Sequence, residues 1–232
     1  MIRISVLGAQ GRMGETIMRL LKDDKRFLIV AGITKADNLK SVINNTDVVI
    51  DFSTPSATLQ NISIVVEAKK AVVVGTTGFS QSERNDFLGM ASRIPCVFAP
   101  NMSVGVNLLF KLANTVTKTL KNYDIEIIEA HHNKKKDAPS GTALKIKERI
   151  EKSLSEEKIH KNIPVHAVRA GDIVGDHTII YAQDGESIEL THRASSRDTF
   201  AKGAIEAAAW VVGKKPGVYD MQDVLEEVCH SN

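Results

Sequence analysis

The chain has 232 residues, is 43% hydrophobic and 25% charged, and carries a net charge of +2. This composition excludes a disordered or fibrous chain, and the small net charge with only 5% aromatic residues removes the electrostatic and stacking case for nucleic-acid binding. Two cysteines, Cys96 and Cys229, in no ligand-like spacing exclude a disulfide scaffold and a cysteine zinc site, so no metal site is expected.

No apolar run approaches the roughly 18 residues that cross a membrane. The N-terminus enters a strand pattern at once. A cytoplasmic protein with reduced thiols and no membrane partner is the expectation.

Residues 2–7 form a β-rich run that ends in a glycine-containing loop, and Met13, Ile17 and Leu21 then recur at helical spacing. Apolar runs at 28–33, 47–52, 71–74 and 95–99 predict four more strands, with helices over 56–69 and 80–92 between them. Short apolar strands alternating with helices predict a parallel sheet covered on both faces.

The rhythm changes after Met102. A helix is predicted over about 104–120, a strand over 124–130, a helix over 141–154, then strands over 165–169, 177–182 and 186–192. Asp184-Gly185 marks a hairpin between the last two, so this half reads as an antiparallel α+β pattern. Asp198 is placed as the cap of a final helix with Phe200, Ile205, Ala208 and Val212 as its apolar side and Gly213 as its stop.

With glycines at 8, 11 and 14 between the first strand and the first helix, the expected fold class is α/β: a Rossmann-type dinucleotide-binding domain of residues 1–102 and 198–232, plus an α+β domain of residues 103–197 with a mixed or antiparallel sheet. The final helix needs a buried face, and the nucleotide sheet offers one.

Glycines at 8, 11 and 14 between a strand and a helix fit a dinucleotide loop. Gly8 permits the turn, Gly11 lets the backbone approach a pyrophosphate, and Gly14 allows helix and strand to pack closely. Helix-start N–H groups then face the phosphates. An ordinary strand-to-helix turn is the other reading. Twenty residues after Gly14, where an acid would bind the adenosine ribose, stand Thr34 and Lys35, with Asp37 nearby. A neutral residue followed by a cation suits the 2′-phosphate of NADPH better than the bare hydroxyl of NADH, unless Lys35 is simply a surface lysine.

His131 and His132 end a predicted strand, and as neighbours they point to opposite sides, which suits separate roles and not one shared metal. Lys134, Lys135 and Lys136 follow and lead to Ser140-Gly141-Thr142. Ser140 is a good N-cap, and the Gly141 and Thr142 amides are first-turn donors available to a carboxylate. Cations beside a helix start form an anion site, although a solvated loop and simple capping would use the same residues.

Through these motifs the sequence resembles the dihydrodipicolinate reductase family. The likeness lies in the 8–14 loop, in 51–53, 75–79, 101–107, 129–143, 169–175 and 191–197, and it spans nearly the whole chain in order. The resemblance implies a reductase of lysine and diaminopimelate synthesis that uses NADPH or NADH, a cyclic imine dicarboxylate as substrate, and a homotetramer built through the 103–197 domain.

By position it implies His131 as proton donor or acceptor and Lys135 as the catalytic lysine. It likewise implies His132, Gly141 and Thr142 at the substrate carboxylates. Cofactor contacts would fall on Gly8, Ala9, Gln10, Gly11, Arg12 and Met13, on Gly75, Thr76 and Thr77, and on Ala99, Pro100, Asn101 and Met102. The segment 34–46 is shorter than in longer family members. A dehydrogenase of amino or hydroxy acids and a non-enzymatic dinucleotide sensor are the rival readings.

Overall fold

The computed structural model describes residues 1–228. Cys229, named among the expected reduced thiols, and positions 229–232 of the 198–232 segment lie outside the described residues. The chain forms two compact units, one of Met1–Val104 with the chain from Asp198 onward, the other of Gly105–Arg197.

The first unit is built on a six-stranded parallel sheet in the order β10-β5-β4-β3-β1-β2. Its strands are β1 (Ile2–Leu7), β2 (Phe27–Ile33), β3 (Val48–Asp51), β4 (Ala71–Val74), β5 (Pro95–Phe98) and β10 (Gly217–Tyr219). Every residue of β3 and β4 is buried, as a parallel sheet covered on both faces requires. The helices are α1 (Arg12–Leu21), α2 (Pro55–Glu67), α3 (Gln81–Ala91), α6 (Asp198–Val211) and α7 (Met221–Val228).

The strand order reverses beside β1, because β2 lies on one side of it and β3 on the other. The loops leaving the carboxyl ends of β1 and β3 therefore flank a crevice, the ligand position of open α/β sheets. Between β2 and β3 the chain makes only two 3₁₀ turns, Leu39–Ser41 and Ile43–Asn45.

Three expectations change here. Helix α6 buries Ala201, Gly203, Ala204, Ile205, Ala207, Ala208 and Val211, whereas Val212 is 36% exposed. Its contact stripe is made of small residues because its backbone lies against Met102: a Cβ on Gly203 would stand 1.7 Å from the Met102 carbonyl oxygen. Asp198 is the first helical residue and pairs with Arg19 at 2.6 Å. Strand β10 and helix α7 lie outside the predicted elements: three residues of edge strand beside β5 are too short to show a period, whereas α7 does carry Met221, Val224, Leu225 and Val228 at helical spacing.

In the second unit, α4 (Val104–Thr119) and α5 (Gly141–Glu156) accompany β6 (Asp124–His131), β7 (Val165–Arg169), β8 (Gly175–Gln183) and β9 (Glu186–Ala194). The sheet order is β7-β6-β8-β9. The pairs β6–β8 and β8–β9 are antiparallel, but β6–β7 is parallel. The sheet is thus mixed and not antiparallel throughout: α5 carries the chain back to the starting end, the crossover that parallel strands need.

Residues Val106, Leu109, Phe110, Ile146 and Ile150 of the two helices pack on Ile125, Ile127, Ile179 and Tyr181 of the sheet. On the opposite face Ile128 and Val168 are 37% and 44% exposed. The inward phase of β6 runs Ile125, Ile127, Glu129, His131, so the residues that pack the core at one end of the strand give way to ionisable groups at the other.

Candidate active site

In the first unit the cradle is made of backbone. Gly8 has φ +74, and a Cβ there would lie 2.7 Å from the Phe52 carbonyl oxygen, where the loops after β1 and β3 meet. The Gly11 amide donates to the Gly8 oxygen at 2.9 Å. At Gly14 a Cβ would stand 2.1 Å from that same oxygen, so α1 can start this close to β1 only with glycine here. Ala9 is half-buried, and Gln10, Gly11 and Arg12 are exposed at the start of α1, with Met13 half-buried behind them. A tight glycine loop that packs directly on its own backbone and leads into a helix start fits a pyrophosphate.

The neighbouring loops extend this cradle. Gly75 donates its N–H to the Asp51 oxygen at 2.9 Å, and a Cβ on it would meet the Phe52 ring at 2.3 Å. Thr76 is buried and accepts from Thr58 at 3.0 Å, while Thr77 is exposed. Burial pushes the Asp51 carboxyl above its usual range, against hydrogen bonds from Ser53, Thr58 and Thr76. Ala99 and Met102 are buried, Pro100 is exposed, and the Asn101 side chain accepts from the Ser103 N–H at 3.0 Å. Met102 has its side chain in the core of the unit.

At the end of β2, the Thr34 N–H and hydroxyl both donate to the Asp37 carboxylate, at 2.9 and 2.7 Å. A carboxylate thus stands on Thr34 although the sequence position itself is neutral. Lys35 is exposed.

In the second unit the site is made of side chains. Glu129 is fully buried. Arg169 donates to both its oxygens at 2.9 and 2.7 Å, the Ser140 N–H reaches Oε1 at 3.1 Å, and Nδ1 of His131 lies 2.5 Å from Oε2. Arg169 also donates to the Asp137 carbonyl at 2.6 Å, which ties the lysine loop to β7.

Buried His177 stacks edge-on against His131, with ring centroids 5.3 Å apart, and its Nε2 lies 3.3 Å from the Ser140 hydroxyl. Ser140 caps α5 by accepting from the Ala143 N–H at 3.2 Å. Gly141 is exposed and Thr142 half-buried in the first turn. Lys135 reaches Asp137 at 2.9 Å and has 22% of its side chain exposed, whereas Lys134 and Lys136 are exposed residues. His132 is half-buried, and its carbonyl accepts from the Lys135 N–H at 3.1 Å.

The electrostatics follow from this packing. Burial pushes the Glu129 carboxyl up, but hydrogen bonds from Arg169, His131 and the Ser140 amide outweigh it and hold it below the usual carboxylate range. Burial lowers the His131 pKa, and the nearby Lys135 and Arg169 charges add to that, against the raising effect of Glu129. Burial, with the neighbouring His131, pushes His177 down to about 4, so it is neutral at pH 7.

Comparison with known proteins covers both halves of the chain. The family model for the dihydrodipicolinate reductase N-terminus matches residues 2–102, and that for its C-terminus matches 105–225. The chain belongs to the dihydrodipicolinate reductase family.

The 4-hydroxy-tetrahydrodipicolinate reductases of Geobacter metallireducens and Aquifex aeolicus share 42% and 43% identity with it, each over 97% of this chain and over 99% and 98% of the relative. The dihydrodipicolinate reductase of Paenisporosarcina sp. TG-14, solved with dipicolinate bound, has the same fold, with a TM-score of 0.80 and 24% identity over 95% of this chain and 97% of its own. The alignment with the Geobacter relative runs over 263 positions against the 232 residues of this chain, so that relative carries segments absent here. Membership makes the chain a nicotinamide-dinucleotide oxidoreductase with the 4-hydroxy-tetrahydrodipicolinate reductase activity of lysine biosynthesis.

Within this reductase fold, the sequence-predicted His131, His132, Lys135, Gly141 and Thr142 all lie between the end of β6 and the first turn of α5. Three members of the cluster were not singled out as site residues: Glu129, Arg169 and His177. Glu129 had a usable signal, since two residues before His131 on a strand means the same face. Arg169 on β7 opens the 169–175 stretch that carries the family likeness, but neither it nor His177 on β8 has a spacing that ties it to His131. Among the described residues no group of three or more His, Cys, Asp and Glu could hold a metal ion, and no helix is long and apolar enough to cross a membrane.

Proposed function

We propose that this chain reduces a dipicolinate-like cyclic imine with two carboxylates, with His131 moving the proton and Lys135 as its catalytic partner. The observation that carries this reading is the His131–Glu129 pair, buried and within reach of the Lys135 charge, at the end of β6. The chemistry a nicotinamide held by the first unit would supply is a hydride for ring carbon 4. The ring is then an enamine, and His131 delivers the proton that completes the product. His132, Lys135 and the Gly141-Thr142 start of α5 bind the dianion, where cations and a helix start favour negative charge. Residues 1–102 with the segment from 198 bind the dinucleotide, and 103–197 bind substrate and assemble the oligomer.

On the cofactor side, Gly8 to Met13 would hold the pyrophosphate, with Gly75 to Thr77 and Ala99 to Met102 completing the site. NADPH is favoured through Lys35. The Asp37 carboxylate on Thr34 opposes a 2′-phosphate and Lys35 is exposed, so the preference is modest. A homotetramer is supported by the uncovered sheet face with Ile128 and Val168. The free, buried Cys96 fits a cytoplasmic setting.

The test is a coupled assay: the condensation product of pyruvate and aspartate semialdehyde is supplied with NADPH or NADH, and loss of the reduced-nicotinamide absorbance is followed. No turnover with either cofactor would refute the reading. A monomer by light scattering at micromolar concentration would refute the assembly.

A further inference from the structure

We infer that Glu129 is a positioning residue of the proton transfer: clamped by Arg169 and the Ser140 amide, it holds His131 by Nδ1 and so makes Nε2 the nitrogen that exchanges the proton. This rests on the proposed role of His131.

The carboxylate is fully buried and takes four hydrogen bonds, two from Arg169 and one each from Ser140 and His131. The two from Arg169 form a bidentate fork, which sets the plane of the carboxylate as well as its charge. Oε2 therefore has one position, and the 2.5 Å bond to Nδ1 passes that position on to the imidazole ring. A carboxylate accepts and does not donate while it is ionised, and its hydrogen bonds hold the carboxyl below its usual range. Nδ1 must then carry a hydrogen in both charge states of the ring, which leaves Nε2 bare when the ring is neutral and protonated when it is charged.

The surroundings of Nε2 agree. Gly175 opens β8 beside it, and a Cβ at that position would come within 3.0 Å of Nε2. Glycine leaves this nitrogen uncrowded. The titratable and charged groups around His131 are Glu129 on its own strand, Arg169 on β7, His177 on β8 and Lys135 in the loop before α5. Arg169 is committed to Glu129, and His177 is neutral at pH 7, so Glu129 is the one group in this set that stabilises the charged ring. In the transfer, the Nε2–H bond breaks as the bond to the enamine carbon forms. The Nδ1–H bond stays intact, Glu129 stays ionised, and Nε2 is reprotonated from solvent.

The test begins with the unaltered enzyme. In protein labelled with 15N-histidine, the His131 signals are assigned by their loss in His131→Gln, and neutral His131 is expected as the Nδ1–H tautomer. A neutral Nε2–H tautomer would overturn the inference.

The second arm is Glu129→Gln. We expect kcat to fall roughly 10–10²-fold, with KM for the imine within about threefold, as when an oriented proton-transfer group loses its orienting partner. The pH at which kcat declines should move to lower values, because the group that stabilised the imidazolium is gone. A folded variant with unchanged kcat and an unchanged pH midpoint would also overturn it. If that variant does not fold, Glu129→Asp with the wild-type tautomer measurement decides. If His131→Gln keeps normal turnover, the underlying role of His131 fails. If His131→Gln is inactive while wild-type His131 is the Nε2–H tautomer, only the present inference fails.

Discussion

The two units build their sites from opposite materials. In the first unit the candidate site is backbone packed on backbone: Gly8 and Gly14 stand where a Cβ would come within 2.7 and 2.1 Å of backbone oxygens. In the second unit, the proposed substrate unit, it is a cluster of ionisable side chains from three strands, with Glu129 and His131 on β6, Arg169 on β7 and His177 on β8. A phosphate needs backbone donors and close approach, which a short loop supplies by itself. Proton transfer needs a tuned ring, and tuning needs buried charges brought from distant parts of the chain.

The largest effect that would break this comparison is in the substrate unit. His131→Gln should lower kcat by about 10²–10⁴, the range for general acid–base groups, while NADPH affinity by fluorescence titration stays unchanged. A loss of dinucleotide affinity would mean that the two sites are not separable. Lys135→Ala should lower kcat and weaken imine binding, whereas Lys134→Ala and Lys136→Ala, which remove exposed residues, should leave steady-state kinetics near wild type.

The matching change in the nucleotide unit is Gly14→Ala. Its Cβ would meet backbone at 2.1 Å, and overpacking of this kind costs about 1–3 kcal/mol. Thermal unfolding should shift by roughly 2–4 °C per kcal/mol for a chain of this size, with dinucleotide affinity reduced. Gly141→Ala is the contrast: a Cβ there finds nothing within 4 Å, so its Tm should stay near wild type. Equal shifts for the two variants would refute the close-packing account of Gly14.

Acid sharpens the contrast further. His177 has a folded pKa of about 4, below the ordinary value of 6.5. Between those values the unfolded chain binds the proton and the folded chain does not. Stability is therefore full above pH 6.5 and is lost as pH falls towards 4, by about 3 kcal/mol at most. His131 and His192 are lowered too and act in the same direction. Asp51 in the nucleotide unit is raised by burial, so its contribution is present at low pH and is lost as pH rises through its folded value. Amide hydrogen exchange at pH 7 and pH 5 should therefore show, after correction for the intrinsic rate, more protection lost in β6 and β8 than in β1 and β3. His177→Asn should flatten the decline.

The smallest effect concerns cofactor choice. Lys35→Ala should lower kcat/KM for NADPH selectively but by less than about fivefold, since an exposed ion pair contributes about 0–1 kcal/mol. The loss should shrink at high salt. Equal losses for NADPH and NADH would make Lys35 an ordinary surface lysine.

What the sequence by itself determined are the features whose cause is local. The glycine spacing at 8, 11 and 14, the valine-rich strands, the Asp184-Gly185 hairpin and the Ser140 cap each depend on backbone conformation or on side-chain periodicity within a few residues. Tertiary structure decided the rest. The parallel β6–β7 pairing depends on where α5 delivers the chain. The alanine face of α6 depends on how closely its backbone approaches Met102. The Glu129 clamp needs Arg169, 40 residues further along, to arrive as the strand partner of His131. A buried charge is stable only where its partner is already held, and which partner that is depends on strand order and register, which local sequence does not encode.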